Sequence, residues 1–174
     1  MRMTACLVAA LCVAPAVTAQ EPIEWSLERR LTKQDFRGRV PANAPNAALS
    51  WINIQASWEC DRESLVTSVR AAFDSSRSWW RTTHGRMQLE AQLLEHEQLH
   101  FDLAEVVARQ IRKRFGEFTH ACSEPGGTEL IHEMVERADR QLQEEQERYD
   151  RETSHGMNAR AQEQWKRRIK ALLN

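Results

Sequence analysis

The stretch RMQLEAQLLEHEQLHFDLAEVVARQIRKRF, residues 86–115, runs without a proline or a glycine, and its apolar residues return with the period of a helix. Leu89, Leu93, His96, His100, Val107 and Ile111 fall close to one stripe at about 100° per residue, so the sequence specifies one long helix here. His96 and His100 stand four residues apart, which places them on one face of that helix. Two imidazoles on one face can point at a single metal ion. Glu97 projects beside the pair, where a carboxylate can take a proton from a water on the metal and later pass it to a leaving amine. The pattern His-Glu-x-x-His thus reads as two zinc ligands and a general base.

Catalytic zinc takes three protein ligands and keeps a fourth position open for water, so the pattern is incomplete as it stands. Asp102 and Glu105 are close in sequence but project roughly 140° to 160° away from the histidine direction. They read as structural groups, Glu105 with Arg109 as an i+4 partner. The third ligand must come from elsewhere, and the richest segment is Tyr149-Asp150-Arg151-Glu152-Thr153-Ser154-His155-Gly156. His155 is the first choice, because a neighbouring glycine lets a loop approach another helix closely. Asp150 comes next, then Glu129, Glu133 and His132. Tyr149 can donate a hydrogen bond to a developing oxyanion; the alternative is packing, the commoner role of a tyrosine before a helix end. His84, beside Gly85 and just ahead of the helix, is read as lining the cleft, and His120 near Cys122 as structural.

Upstream of the helix the apolar period is two. Leu49, Trp51, Ile52, Ile54, Ala56 and Trp58 mostly alternate, and so do Leu65, Thr67, Val69, Ala71 and Phe73, with Cys60-Asp61-Arg62 as a turn between them. That pattern predicts an antiparallel hairpin. Trp25 to Arg39 reads as an edge strand followed by a turn at Asp35-Phe36-Arg37-Gly38, and residues 41–46, rich in proline and asparagine, break regular structure. Trp79-Trp80 reads as core. Downstream, Pro125-Gly126-Gly127 marks a loop before a second helix through Ile131, Met134, Val135, Ala138 and Leu142, ending near Tyr149. Ser154-His155-Gly156 interrupts it. A last amphipathic helix carries Trp165, Ile169 and Leu172 along one side.

Residues 1–19 have the three parts of a secretory signal peptide: Arg2, an apolar run from Ala5 to Val17, and Thr18-Ala19 before a cleavage point. The run is too short to span a bilayer, and no later segment approaches that length. The expected mature chain, 20–174, is of a size for one domain, exported to the periplasm or beyond. With 24 Lys+Arg against 25 Asp+Glu the balance is nearly neutral, and no dominant basic field invites nucleic acid. Of four cysteines, Cys6 and Cys12 leave with the signal. Cys60 and Cys122 remain, and in an exported chain they read as one disulfide.

Ser78-Trp79, Leu93-Leu94 leading into His96 through Glu105, and Tyr149-Asp150 with Thr153, His155, Gly156, Gln164 and Trp165 resemble the bacterial domain of unknown function 922 family, described as secreted zinc-dependent proteases. Asp35-Phe36 fits the same pattern. The resemblance implies a zincin-like peptidase fold with His96 and His100 as ligands and Glu97 as general base. The expectation is an α+β, zincin-like domain, a small antiparallel sheet packed on the long helix with further C-terminal helices. In it Zn²⁺ is held by His96, His100 and His155, Glu97 and Tyr149 are catalytic, and the substrate is a peptide or protein. The alternative is a metal-binding or interaction protein of the cell envelope without catalysis.

Overall fold

The computed structural model describes residues 21–61, 64–81, 87–118, 122–123 and 125–174. The signal segment, Arg62 of the expected turn, His84 and His120 lie outside them. Among the described residues the fold is α+β, with a small antiparallel sheet and three helices.

The hairpin forms as its period dictates. Strands β3 (Ile52–Asp61) and β4 (Ser64–Phe73) pair antiparallel with Ile52 opposite Phe73, Ile54 opposite Ala71 and Ala56 opposite Val69. The register puts all of these side chains on the same face of the sheet, the face that meets the core. A two-residue strand, β1 (Ile23–Glu24), adds to the free edge of β4, so the three-stranded order is β1-β4-β3. The edge strand thus precedes Trp25; from Lys33 to Asp35 the chain makes a single 3-10 turn. A second small pair joins β2 (Ala48–Leu49) to β5 (Trp79–Trp80), with Trp79 buried as a core residue.

The helix read from residues 86–115 is α1, Met87–Glu117. It carries more than one apolar stripe. From His96 to Ala108 every residue but His100 is buried. The cause is its place in the molecule, with the sheet on one side and helices α2 (Gly127–Thr153) and α3 (Ala159–Leu173) on others. A helix covered all round buries nearly every side chain, whatever its moment.

Two apolar clusters share α1. Under the sheet, Phe73, Phe101, Ile111 and Ile131 pack together, with the Phe36 ring edge-on to Phe73 at 5.1 Å. Between the helices, Leu99, Leu103, Val106, Tyr149, Trp165 and Ile169 form the second. Each large side chain fully buried in this way contributes about 1.5–3 kcal/mol. On α3 the third apolar core position is Leu173 rather than Leu172, which is exposed. Cys60 and Cys122 form the expected disulfide and tie the tip of β3 to the connection between α1 and α2. No helix among the described residues is long and apolar enough to cross a membrane.

Candidate metal centre

Helix α2 runs past Tyr149 to Thr153 before it stops, one turn further than the sequence suggests. That extra turn puts Asp150 on a helical face toward α1. Its Oδ1 lies 3.0 Å from His96 Nε2 and 3.0 Å from His100 Nε2, and the two nitrogens are 3.1 Å apart. The described residues thus bring together His96, His100 and Asp150 as a group fit to hold a metal ion. Ligand atoms on a tetrahedral Zn²⁺ stand roughly 3.3 Å apart, close to this triangle. Two imidazoles and a carboxylate are also a donor set that zinc accepts.

His155, the first choice for third ligand, takes another place. Its Nδ1 is 3.4 Å from Asp150 Oδ1, and its side chain is 65 % exposed. The reason is backbone conformation: Ser154, His155 and Gly156 are successive left-handed residues, with φ of 49°, 51° and 80°. They turn the chain away from α2 and leave His155 at the rim. Gly156 makes the close approach expected of a glycine here, since a Cβ on it would stand 3.1 Å from His96 Cβ and Cγ. Two non-glycine residues in that region cost about 1–3 kcal/mol each. Internal bonds hold the turn: His155 N–H donates to the Asp150 carbonyl at 2.9 Å and Gly156 N–H to Thr153 Oγ1 at 3.2 Å. Glu129, Glu133 and His132 lie near the opposite end of α2, where His132 pairs with Glu136 and packs near Trp58.

Tyr149 also departs from expectation. It is fully buried, its ring stacked on His96 at 4.7 Å and 22° and edge-on to His100. Its hydroxyl donates to Gln162 Oε1 at 3.0 Å, a residue of α3. Burial pushes that hydroxyl far above the ordinary tyrosine range. The side chain supports the histidines from behind and does not line the cavity in front of them.

The cavity measures about 680 Å³ and is bounded by β2 and its flanks, by α1 and by the turn after α2. His96, Glu97, His100 and Asp150 share its wall with Leu49 and Leu93. Glu97 is buried, and Ser50 Oγ donates to its Oε2 at 2.5 Å, fixing the carboxylate from the strand side. Burial alone would raise the Asp150 carboxyl, but the adjoining imidazoles of His100 and His96 outweigh it and hold it well below the usual carboxylate range. For His100 burial opposes the charged ring, and the bond to Asp150, with Glu97, Asp150 and Gln146 nearby, overcomes it and raises the ring's pKa. The two shifts are one interaction seen from both partners, a carboxylate set against imidazoles.

Two glutamines absent from the sequence reading complete the surroundings. Gln146 touches His100 Nδ1 through Oε1 and donates from Nε2 to the His100 carbonyl at 3.0 Å. Gln162 Oε1 lies 3.3 Å from His96 Nδ1. Glutamine carries no metal signature. Gln146 nevertheless stands four residues before Asp150, on the same helical face, and Gln162 interrupts the apolar stripe of Trp165 and Ile169; both are readable signals.

The fold and this cluster define an α+β protein with a His-His-Asp group beside a buried glutamate at a cavity wall. The chain belongs to the family described as bacterial protein of unknown function (DUF922), whose model matches residues 16–156. No curated protein and no solved structure matches it.

Proposed function

We propose that this protein is an exported, zincin-like zinc-dependent peptidase in which His96, His100 and Asp150 hold the ion and Glu97 is the general base. One observation carries the reading: Asp150 Oδ1 and the Nε2 atoms of His96 and His100 converge within 3.1 Å of one another on the wall of a cavity that also presents Glu97. Acceptors in contact need a cation or a proton between them. Zn²⁺ bound there supplies a Lewis acid and brings the pKa of water toward neutrality. Glu97, held by Ser50, takes the proton of the attacking water and delivers it to the leaving amine. Leu49 and Leu93 line the space where a peptide segment lies against these groups. Tyr149 keeps the rings of His96 and His100 in place and touches no substrate.

The second reading is a metal-binding envelope protein without turnover, and His155 favours it. With Nδ1 3.4 Å from Asp150 Oδ1, it stands close enough to close the fourth position. Metal analysis and a chelator-sensitive peptide assay on the purified protein separate the two. Under the peptidase reading the protein holds one zinc per chain, and Glu97→Gln keeps the zinc while turnover falls by about 10²–10⁴. A Glu97→Gln protein that cleaves at the wild-type rate removes Glu97 from the mechanism. Stoichiometric zinc with no hydrolysis of any peptide pool leaves the metal-binding reading.

A further inference from the structure

An imidazole can offer a metal either nitrogen, and which one is free is set by the hydrogen bond at the other. Around His100 the assignment follows from polarity alone. The His100 carbonyl is an acceptor, so the Gln146 atom 3.0 Å from it is the amide Nε2. The other end of that amide, Oε1, therefore faces His100 Nδ1. Oε1 accepts and cannot donate, so Nδ1 carries the proton, and in the neutral ring Nε2 keeps its lone pair. Around His96 the same arrangement comes from a different helix. Gln162 Oε1, which accepts the Tyr149 hydroxyl at 3.0 Å, stands 3.3 Å from His96 Nδ1. Gln162 is buried, and its Nε2 has no hydrogen-bond partner among the described residues. A buried amide with one end unpaired costs about 1–3 kcal/mol, which points to a use for the end that is paired.

We infer that Gln146 and Gln162 are positioning residues that hold the Nδ1 protons of His100 and His96, so that both Nε2 atoms face Asp150 as coordinating lone pairs. The inference rests on the metal reading above. It also makes α3 part of the centre, although Gln162 lies beyond the residues 16–156 that the family model covers. Trp165 on the same helix is edge-on to Tyr149 at 5.4 Å, which in turn stacks on His96. The sequence Gln162, Tyr149, His96 is thus one packed and hydrogen-bonded support.

The test uses the full-length mature protein, zinc, and four substitutions. Gln146→Met and Gln162→Met keep the length of the side chain and remove the acceptor; Gln146→Glu and Gln162→Glu keep the acceptor. Zinc affinity is read by competition with a chromophoric chelator, and melting temperature is read on the metal-free proteins. The Met variants should bind zinc ~10–100-fold more weakly, as is typical when a partner of a metal-bound histidine is lost. The Glu variants should stay within about threefold of wild type, a rescue that a space-filling role does not predict. Nitrogen-15 shifts of the zinc-loaded wild type should show protonated Nδ1 on both His96 and His100, and this readout decides the matter if a Met variant does not fold. Met variants that bind zinc as tightly as wild type, or a proton found on Nε2 of either ring, overturn the inference. A wild-type protein without stoichiometric zinc overturns the proposed function itself and takes the inference with it; zinc-loaded wild type with indifferent glutamines sinks the inference alone.

Discussion

Gln98, Asp102 and Glu105 lie on one side of helix α1, His96, Glu97 and His100 on the other, and all but His100 are buried. On the first side donors and acceptors are matched. Gln98 Oε1 accepts the Leu31 N–H at 2.7 Å, its Nε2 donates to Asp102 Oδ1 at 2.8 Å, and the same oxygen accepts Trp25 Nε1–H at 2.8 Å. Glu105 accepts from Arg109 at 2.9 Å and from Arg112. On the second side Asp150 Oδ1 and the Nε2 atoms of His96 and His100 meet one another and open on a cavity. A matched face is finished within the protein and pins the N-terminal segment to the helix. Under the proposed function the unmatched face is completed from outside by a cation, whose attraction to the carboxylate is strong in low dielectric.

Exchanging one group at a time at the unmatched face gives the largest expected effect. Asp150→Asn preserves shape and removes the charge, and zinc affinity should fall by more than the ~10–100-fold typical of outer groups. His155→Ala should change it by less than about tenfold, since an exposed side chain at the rim gives up little on removal. The same competition assay reads both. If His155→Ala is the more damaging, the third ligand is His155 and the turn after α2 closes inward when metal binds.

How far the sequence discloses these two faces depends on the range of the signal. His96, Glu97 and His100 are legible because a helix fixes their relation locally, and the hairpin is legible because alternation over β3 and β4 leaves one register that buries Ile54, Val69, Ala71 and Phe73. Asp102 and Glu105 are legible as facing away by the same helical arithmetic, though not what they face. The choice between Asp150 and His155 turns on where α2 ends. Thr153 Oγ1 bonds back to the Tyr149 carbonyl at 2.7 Å inside the last turn, and the helix runs four residues beyond Tyr149. That continuation swings Asp150 inward and His155 out. Tyr149 moves with the same continuation, from the end of a helix to a buried support inside one. Gln146 and Gln162 can be noticed by their positions, but what they do depends on partners on other helices, and such pairings are tertiary facts.

The matched face offers a smaller effect of a different kind. Asp102→Ala leaves Trp25 Nε1 and Gln98 Nε2 without their acceptor, and unpaired buried donors together with the lost charge should cost about 2–4 kcal/mol of unfolding free energy. Urea unfolding of the metal-free protein measures it. Zinc affinity of the folded variant should remain within about threefold of wild type. A loss of zinc in step with stability would show that the two faces are one coupled unit.

Asp35 extends the matched face to the start of the chain and should show the smallest effect, tied to pH. It ends the 3-10 turn that follows Leu31 and Thr32, accepting Thr32 N–H at 2.7 Å, the Thr32 hydroxyl at 2.9 Å and Arg29 at 2.7 Å. Burial by itself raises its pKa, but the Thr32 backbone bond, Arg29 and the Thr32 hydroxyl outweigh it, so the folded carboxyl titrates below its ordinary 3.8. A group depressed on folding stabilises the protein above its unfolded pKa, and the contribution disappears as pH falls through the folded value. Asp35→Asn should therefore be less stable than wild type by ~1–2 kcal/mol at pH 7 and pH 5, with the gap closing below about pH 4. Unfolding curves for both proteins at pH 7, 5 and 3 check it. A gap unchanged at pH 3 would assign the loss to shape rather than charge, and would leave the carboxylates of the matched face contributing geometry where the unmatched face depends on their charge.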